Sequence, residues 1–151
     1  MAETQEASVG YGGEFWLHDG SALAELVEVV EFDVPERGGR EQVEKTHLKS
    51  PDWTREYLST FYQDNDFEVV LNYRPLSDTD ELVLAAIAAD DVRDFKAVIP
   101  ENGVPTSQVT GTARCTGRTK PRVVGNDVMQ TTATFRIVTV NDPVAYVAPT
   151  P

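Results

Sequence analysis

Cys115 is the only cysteine in the 151 residues. One thiol closes no intrachain disulfide and builds no cysteine zinc cluster, so neither can staple this fold. With no histidine motif beside it, Cys115 reads as a small, half-buried strand residue. Bases are also scarce, 13 Lys and Arg against 25 Asp and Glu, for a formal charge of −12. Phosphate binding is dominated by Lys and Arg, so such a chain does not grip nucleic acid over its general surface. No run of about 18 apolar residues occurs, and no membrane-spanning helix is expected. The opening Met-Ala-Glu-Thr-Gln-Glu lacks the basic and apolar regions of a secretory leader, which predicts synthesis and retention in the cytoplasm. His18 and His47 lie on separate segments without metal-ligand spacing. There is no P-loop, dinucleotide-binding or nucleophile-elbow motif. No catalytic residue, metal or cofactor is therefore expected, and the chain reads as a non-enzyme.

What is present is a 40% apolar sequence of a length that suits one domain with a real core. Its charge is uneven. Residues 1–35 hold eight acids, from Glu3 to Asp33, and no Lys or Arg, whereas residues 102–126 hold Arg114, Arg118, Lys120 and Arg122 and no acid. Two readings remain open: solvated faces of an acidic protein, or complementary faces on a subunit that meets copies of itself.

Residues 1–13, with Gly10, Tyr11, Gly12 and Gly13, read as an arm entering the fold. Glu14–His18 is a strand candidate with Phe15 and Leu17 on one face. The Asp19-Gly20 pair signals a turn. A second strand is expected over 23–34, ended by Pro35. Further strands are expected over 67–73, 94–99, 106–116 and 127–140, the last two forming a Thr-rich hairpin. Ser77 with Asp80 three residues on approximates a capping box for a helix over 78–89, with Leu82, Val83, Ala86 and Ile87, extended by Leu84, as its buried stripe. Residues 141–151 form an extended tail. The predicted fold is mostly β (α+β): a two-sheet sandwich or barrel with one flanking helix, a long charged loop and extended termini.

Residues 36–66 are that loop. They are strongly charged and weakly periodic, yet they carry Val43, Leu48, Trp53, Tyr57, Leu58, Phe61 and Tyr62. A loop of this length inside a compact domain means function or disorder, and disordered segments are aromatic-poor. An arm that docks on something accounts for both features. The alternative is that Trp53 and Phe61 pack over their own domain's core.

The order of these parts resembles the major tail tube protein of long, non-contractile-tailed bacteriophages, or of a related gene-transfer-agent particle. The resemblance rests on the Gly10-Tyr11-Gly12 opening, the Ser/Asp-capped helix, the closing Thr-rich hairpin and, above all, the loop pattern Val43-x-x-Thr46-His47-x-x-Ser50-Pro51-Asp52-x-x-Arg55-Glu56-Tyr57. One departure is Glu36–Arg40, richer in Gly and Arg than the pattern. The resemblance implies a virion tail subunit made in the host cytoplasm. Copies would form stacked, hexameric rings around a channel through which DNA passes without specific binding. Partners would be further copies and the tape-measure, tail-terminator and distal-tail proteins. It makes the 36–66 loop the inter-ring element. Candidate contacts are then Val43, His47, Leu48, Trp53, Arg55, Tyr57, Phe61 and Tyr11, and candidate lumen acids are Glu25, Glu28, Glu31, Glu68 and Asp127. Alternatives are the inner tube of a contractile tail or type VI secretion system, and a β-sandwich binding module on a virion.

Overall fold

The computed structural model describes residues 8–63 and 65–148. In chain order the elements are β1 (Glu14–His18), β2 (Leu23–Glu25), β3 (Val29–Phe32), β4 (Arg40–Glu44), β5 (Tyr57–Tyr62), β6 (Asp66–Asn72), α1 (Asp78–Ala89), β7 (Arg93–Glu101), β8 (Val104–Arg118), β9 (Gln130–Val140) and β10 (Val144–Ala145). One sheet runs β2-β1-β7-β8-β9-β6-β3, with β10 beside β8; β4 and β5 form a second sheet of two strands. The fold is mostly β with one helix, and its sheets stay open at β2 and β3 rather than closing into a barrel.

The apolar residues dictate how the large sheet bends. Phe15 and Phe95 sit on β1 and β7, Phe135 and Phe67 on β9 and β6, on opposite sides of β8 along the sheet path. Their rings nevertheless meet: Phe15 lies 5.8 Å from Phe67 and 5.6 Å from Phe135, and Phe67 lies 5.4 Å from Phe95. A flat sheet would hold these side chains several strands apart, since neighbouring strands lie about 4.8 Å from one another. The sheet therefore folds over, and the four buried rings fill a sandwich-like core. Each aromatic pair contributes about 0.5–1.5 kcal/mol beyond its buried area. Gly111 stands where β8 crowds β9: an added Cβ would lie 2.2 Å from the Thr139 carbonyl oxygen.

The helix spans 78–89, the expected range. The Ser77 hydroxyl accepts the Asp80 amide N–H at 3.2 Å. Val83 and Ala86 are buried and α1 packs on β8, whereas Leu84, expected in the stripe, points away from it and is exposed. The reciprocal half of the capping box is absent, because the Asp80 carboxylate turns inward to Arg118. The turn after β1 is held by Asp19, whose carboxylate accepts the amides of Ser21 and Ala22. Those bonds, the Ala22 amide's first, lower its pKa to about 2.

Four expectations change. The strand expected over 23–34 is two short strands, because Glu28 takes a left-handed conformation (φ 61°) and β3 bulges between Val29 and Glu31. The strand expected from Asp127 starts at Gln130, and part of the extended tail pairs with β8 as β10. The charged loop expected over 36–66 contains a hairpin instead: β4 and β5, the short 3-10 turn Pro51–Trp53 between them, and then the first residue of β6.

Candidate assembly site

β4 and β5 pair with Val43 opposite Leu58 and Glu44 opposite Tyr57, so Val43 and Leu58 share one face of the hairpin. Tyr57, opposite Glu44, projects from the other, and the register shifts between Gln42 and Arg40, where β5 carries the exposed Phe61. Among the described residues nothing covers either face. No residue from 39 to 63 is buried, and only Ser50, Glu56 and Thr60 are partly so. Phe61 is 83% exposed, Trp53 102% and Leu48 106%. Trp53 and Phe61 thus do not pack over their own core. A two-stranded hairpin is marginally stable alone in water, and apolar side chains on both faces call for a partner on both.

The hairpin's root is braced. The guanidiniums of Arg37 and Arg40 lie 4.5 and 4.6 Å from the Tyr62 ring centre, and Arg40 donates to the Tyr62 hydroxyl at 3.1 Å. The Arg40 hydrogen bond, followed by that of Arg37, lowers the phenol's pKa. Gly38 presses on this root, where an added Cβ would meet the Gln63 carbonyl oxygen at 2.3 Å.

The tip is braced as well, by the residues of the loop pattern. The Ser50 hydroxyl accepts the His47 amide at 3.0 Å and donates to the Glu56 carboxylate at 2.8 Å. Thr46 Oγ1 accepts the Glu56 amide at 2.8 Å, and His47 Nδ1 accepts the Lys49 amide at 3.1 Å. Thr54 closes the turn onto the Pro51 carbonyl. Asp52 and Trp53 both take left-handed φ, 55° and 58°, which disfavours any residue bearing a Cβ. The network holds that conformation and presents Leu48 and Trp53 outward. His47, expected as a contact, lies inside this network, and Arg55 reaches back toward Glu44 at 4.0 Å.

The other candidates lie elsewhere. Tyr11 is exposed beside Gly103, at the turn joining β7 to β8. Glu31 and Glu68 share one outer face, because Glu31 pairs with Val70, two residues along β6 from Glu68. Glu25 lies at the far end of the sheet path, opposite Trp16. Burial first, then the neighbouring Glu14, pushes its pKa up. Glu28 pairs with Arg74 at 3.4 Å in the bend before β3, and Asp127 caps a turn through the Val128 amide. The five acids therefore do not form one surface patch.

Three features escaped sequence reasoning. Lys96 is 8% exposed, its ammonium 5.0 Å from the Trp16 ring centre and 5.6 Å from that of Tyr146, which ties β10 to the sheet. The Asp80–Arg118 ion pair is mostly buried. It floors a cleft of about 320 Å³ at the start of α1. Alternation would turn Lys96 to solvent, yet Phe95, Lys96, Ala97 and Val98 are all buried, so local pattern did not announce the first; the other two join residues far apart in sequence. The Cys115 thiol is pushed up to about 11 by burial, which makes it a poor nucleophile. Among the described residues no three His, Cys, Asp or Glu side chains converge as metal ligands.

No protein-family model and no curated protein matches the chain. Solved structures do match. A chain of the virion of a native gene transfer agent particle aligns at TM-score 0.66 and 16% identity, over 93% of this chain and 100% of that one. A chain of the anti-feeding prophage tube-terminating cap aligns at TM-score 0.69 and 13% identity, over 97% and 96%. A chain of the SPP1 tail tube aligns at TM-score 0.68 and 8% identity, over 94% and 81%. At such identities the likeness is one of fold.

Proposed function

We propose that this chain is a non-enzymatic tail tube subunit, which assembles with copies of itself into stacked, hexameric rings around a channel for DNA. The observation that carries the reading is the hairpin: residues 39–63 include no buried residue, yet they display apolar side chains on both faces and hold a braced tip. A rigid element without a partner in its own chain is an assembly element, because preorganisation lowers the entropy lost on docking. The similar folds in a gene transfer agent virion and the SPP1 tail tube support the same reading.

In this reading Leu48, Trp53 and Phe61 anchor contacts between rings, with Val43, Arg55 and Tyr57 around them and Tyr11 at a separate contact. His47 serves by shaping the tip. Glu31 and Glu68, which share one outer face, would line a wall that repels phosphate, since like charges prevent DNA from sticking as it passes. Glu25, Glu28 and Asp127 stand on other surfaces of the subunit. Partners would include tape-measure, terminator and distal-tail proteins, and the protein would reside in the virion tail. The similarity to an anti-feeding prophage cap favours one second reading, a tube subunit of a contractile injection particle.

Negative-stain electron microscopy of the purified chain, titrated to high concentration, tests the proposal. Rings or tubes with a central hole are expected. Uniform small particles at every concentration, with or without a nucleating end complex, would refute it.

A further inference from the structure

The hairpin's root and the cleft lie at opposite ends of β6. Its first residue, Asp66, pairs with Arg136 and comes after the hairpin strand β5 in the chain; its last, Asn72, pairs with Gln130 and leads through Tyr73 and Leu76 to α1. Seven residues of strand separate the ends by roughly 20 Å. At the far end, Leu76 stands 83% exposed at the rim of the cleft, with a left-handed φ of 61°. Val27 is exposed at the same rim, and the Tyr73 ring lies 5.7 Å from the Arg118 guanidinium inside.

Charge distinguishes the two ends. In the cleft Arg118 is committed to Asp80 and Arg74 to Glu28, which leaves Asp78 as an unneutralised acid among the lining residues. The tip carries Lys45, Lys49 and Arg55 against Asp52 and Glu56, and Arg55 is turned to Glu44. Among the described residues, neither Lys45 nor Lys49 has an acid within ion-pair distance. An apolar knob bearing two unpaired lysines and an apolar-rimmed cleft bearing one unpaired acid are the two halves of a heterologous, head-to-tail contact.

From this juxtaposition we infer that the cleft before α1 is the receptor for the hairpin tip of a second copy, with Leu48 and Trp53 against Leu76, Val27 and Tyr73 and with Lys49 facing Asp78. The inference rests on the assembly reading above and adds its acceptor. A chain bearing both Leu48→Cys and Leu76→Cys tests it, with a short bismaleimide added to assembled particles. Both positions are exposed, so the free fold is undisturbed, and the buried Cys115 does not compete. A ladder of multimers is expected on a denaturing gel for the double variant and not for either single variant. Tubes that form without a ladder would overturn the acceptor and leave the assembly reading intact, as would dimers from Leu48→Cys alone, which report tip-to-tip contact. Failure of the unsubstituted chain to form rings or tubes would overturn both. In a second arm, Lys49→Glu is expected to raise the critical concentration at least tenfold, and Asp78→Lys to restore it in the same chain. Absence of rescue, with both variants folded, counts against the pairing.

Discussion

Trp53→Ala separates assembly from folding. In the free chain Trp53 is 102% exposed and buries nothing. Its removal should leave the monomer's unfolding free energy within about 0.5 kcal/mol, the usual range for surface substitutions. In a docked tip the same ring is covered. An aromatic side chain buries about 150–250 Å² when enclosed, and at about 25 cal/mol per Å² that sets an upper bound of roughly 4–6 kcal/mol. Hot-spot truncations more commonly cost about 2–4 kcal/mol. Each subunit added to a tube makes this contact once, so the loss enters the critical concentration directly. At 1.4 kcal/mol per tenfold, that concentration should rise roughly 30- to 700-fold. Thermal unfolding by circular dichroism, below the assembly threshold, reads the first quantity; sedimentation of polymer across a concentration series reads the second. An unchanged critical concentration would refute the reasoning. So would a fall of several degrees in monomer Tm, since it would mean that Trp53 belongs to its own fold.

Three further outcomes follow from the folded chain. Asp80→Ala strands Arg118 in a mostly buried site and should destabilise the monomer by about 3–5 kcal/mol in chemical denaturation, with Arg118→Met in the same chain recovering much of the loss. At pH 8 a thiol at about 11 is roughly one-thousandth ionised, against about a quarter for an ordinary cysteine, so a thiol reagent should modify native Cys115 at least a hundredfold more slowly than the unfolded chain. Glu25 has a folded-state pKa raised by burial and by Glu14, so its contribution is complete below the unfolded carboxylate pKa and is lost as pH rises through the raised one. Glu25→Gln should therefore raise Tm at pH 7 and leave it unchanged near pH 3.5; equal shifts at both would contradict the coupling.

The helix and the main strands were legible because one-sided burial imprints a period on sequence. α1 shows its cap, its stripe and its length, and β1 places Phe15 and Leu17 inward as alternation requires. Where a local conformation overrides the pattern, the reading fails. Val29, Val30 and Phe32 continue an apolar run from Leu23, and nothing in that run announces the left-handed Glu28 or the bulge after Val29. The Asp80–Arg118 pair joins positions 38 residues apart, and Asp80 in a first helical turn reads more simply as a capping acid.

The hairpin was hidden for a different reason, one that bears on its role. Alternation reports a strand with one face in its own core and the other in water. In β4 and β5 both faces are open among the described residues, so Val43 and Leu58 on one side are matched by Tyr57 on the other, with Glu and Gln interleaved. Such a strand has no single-chain period to read. In the proposed assembly its faces are covered by different neighbours. The loop pattern has a related explanation. Thr46, His47, Ser50 and Glu56 bond to one another, and Leu48 and Trp53 emerge from the frame they make. The recognisable residues are therefore the scaffold, and in the proposed assembly the contact residues are those the scaffold presents. Ser50→Ala should accordingly weaken assembly by loosening the tip, even though Ser50 itself need touch no second copy.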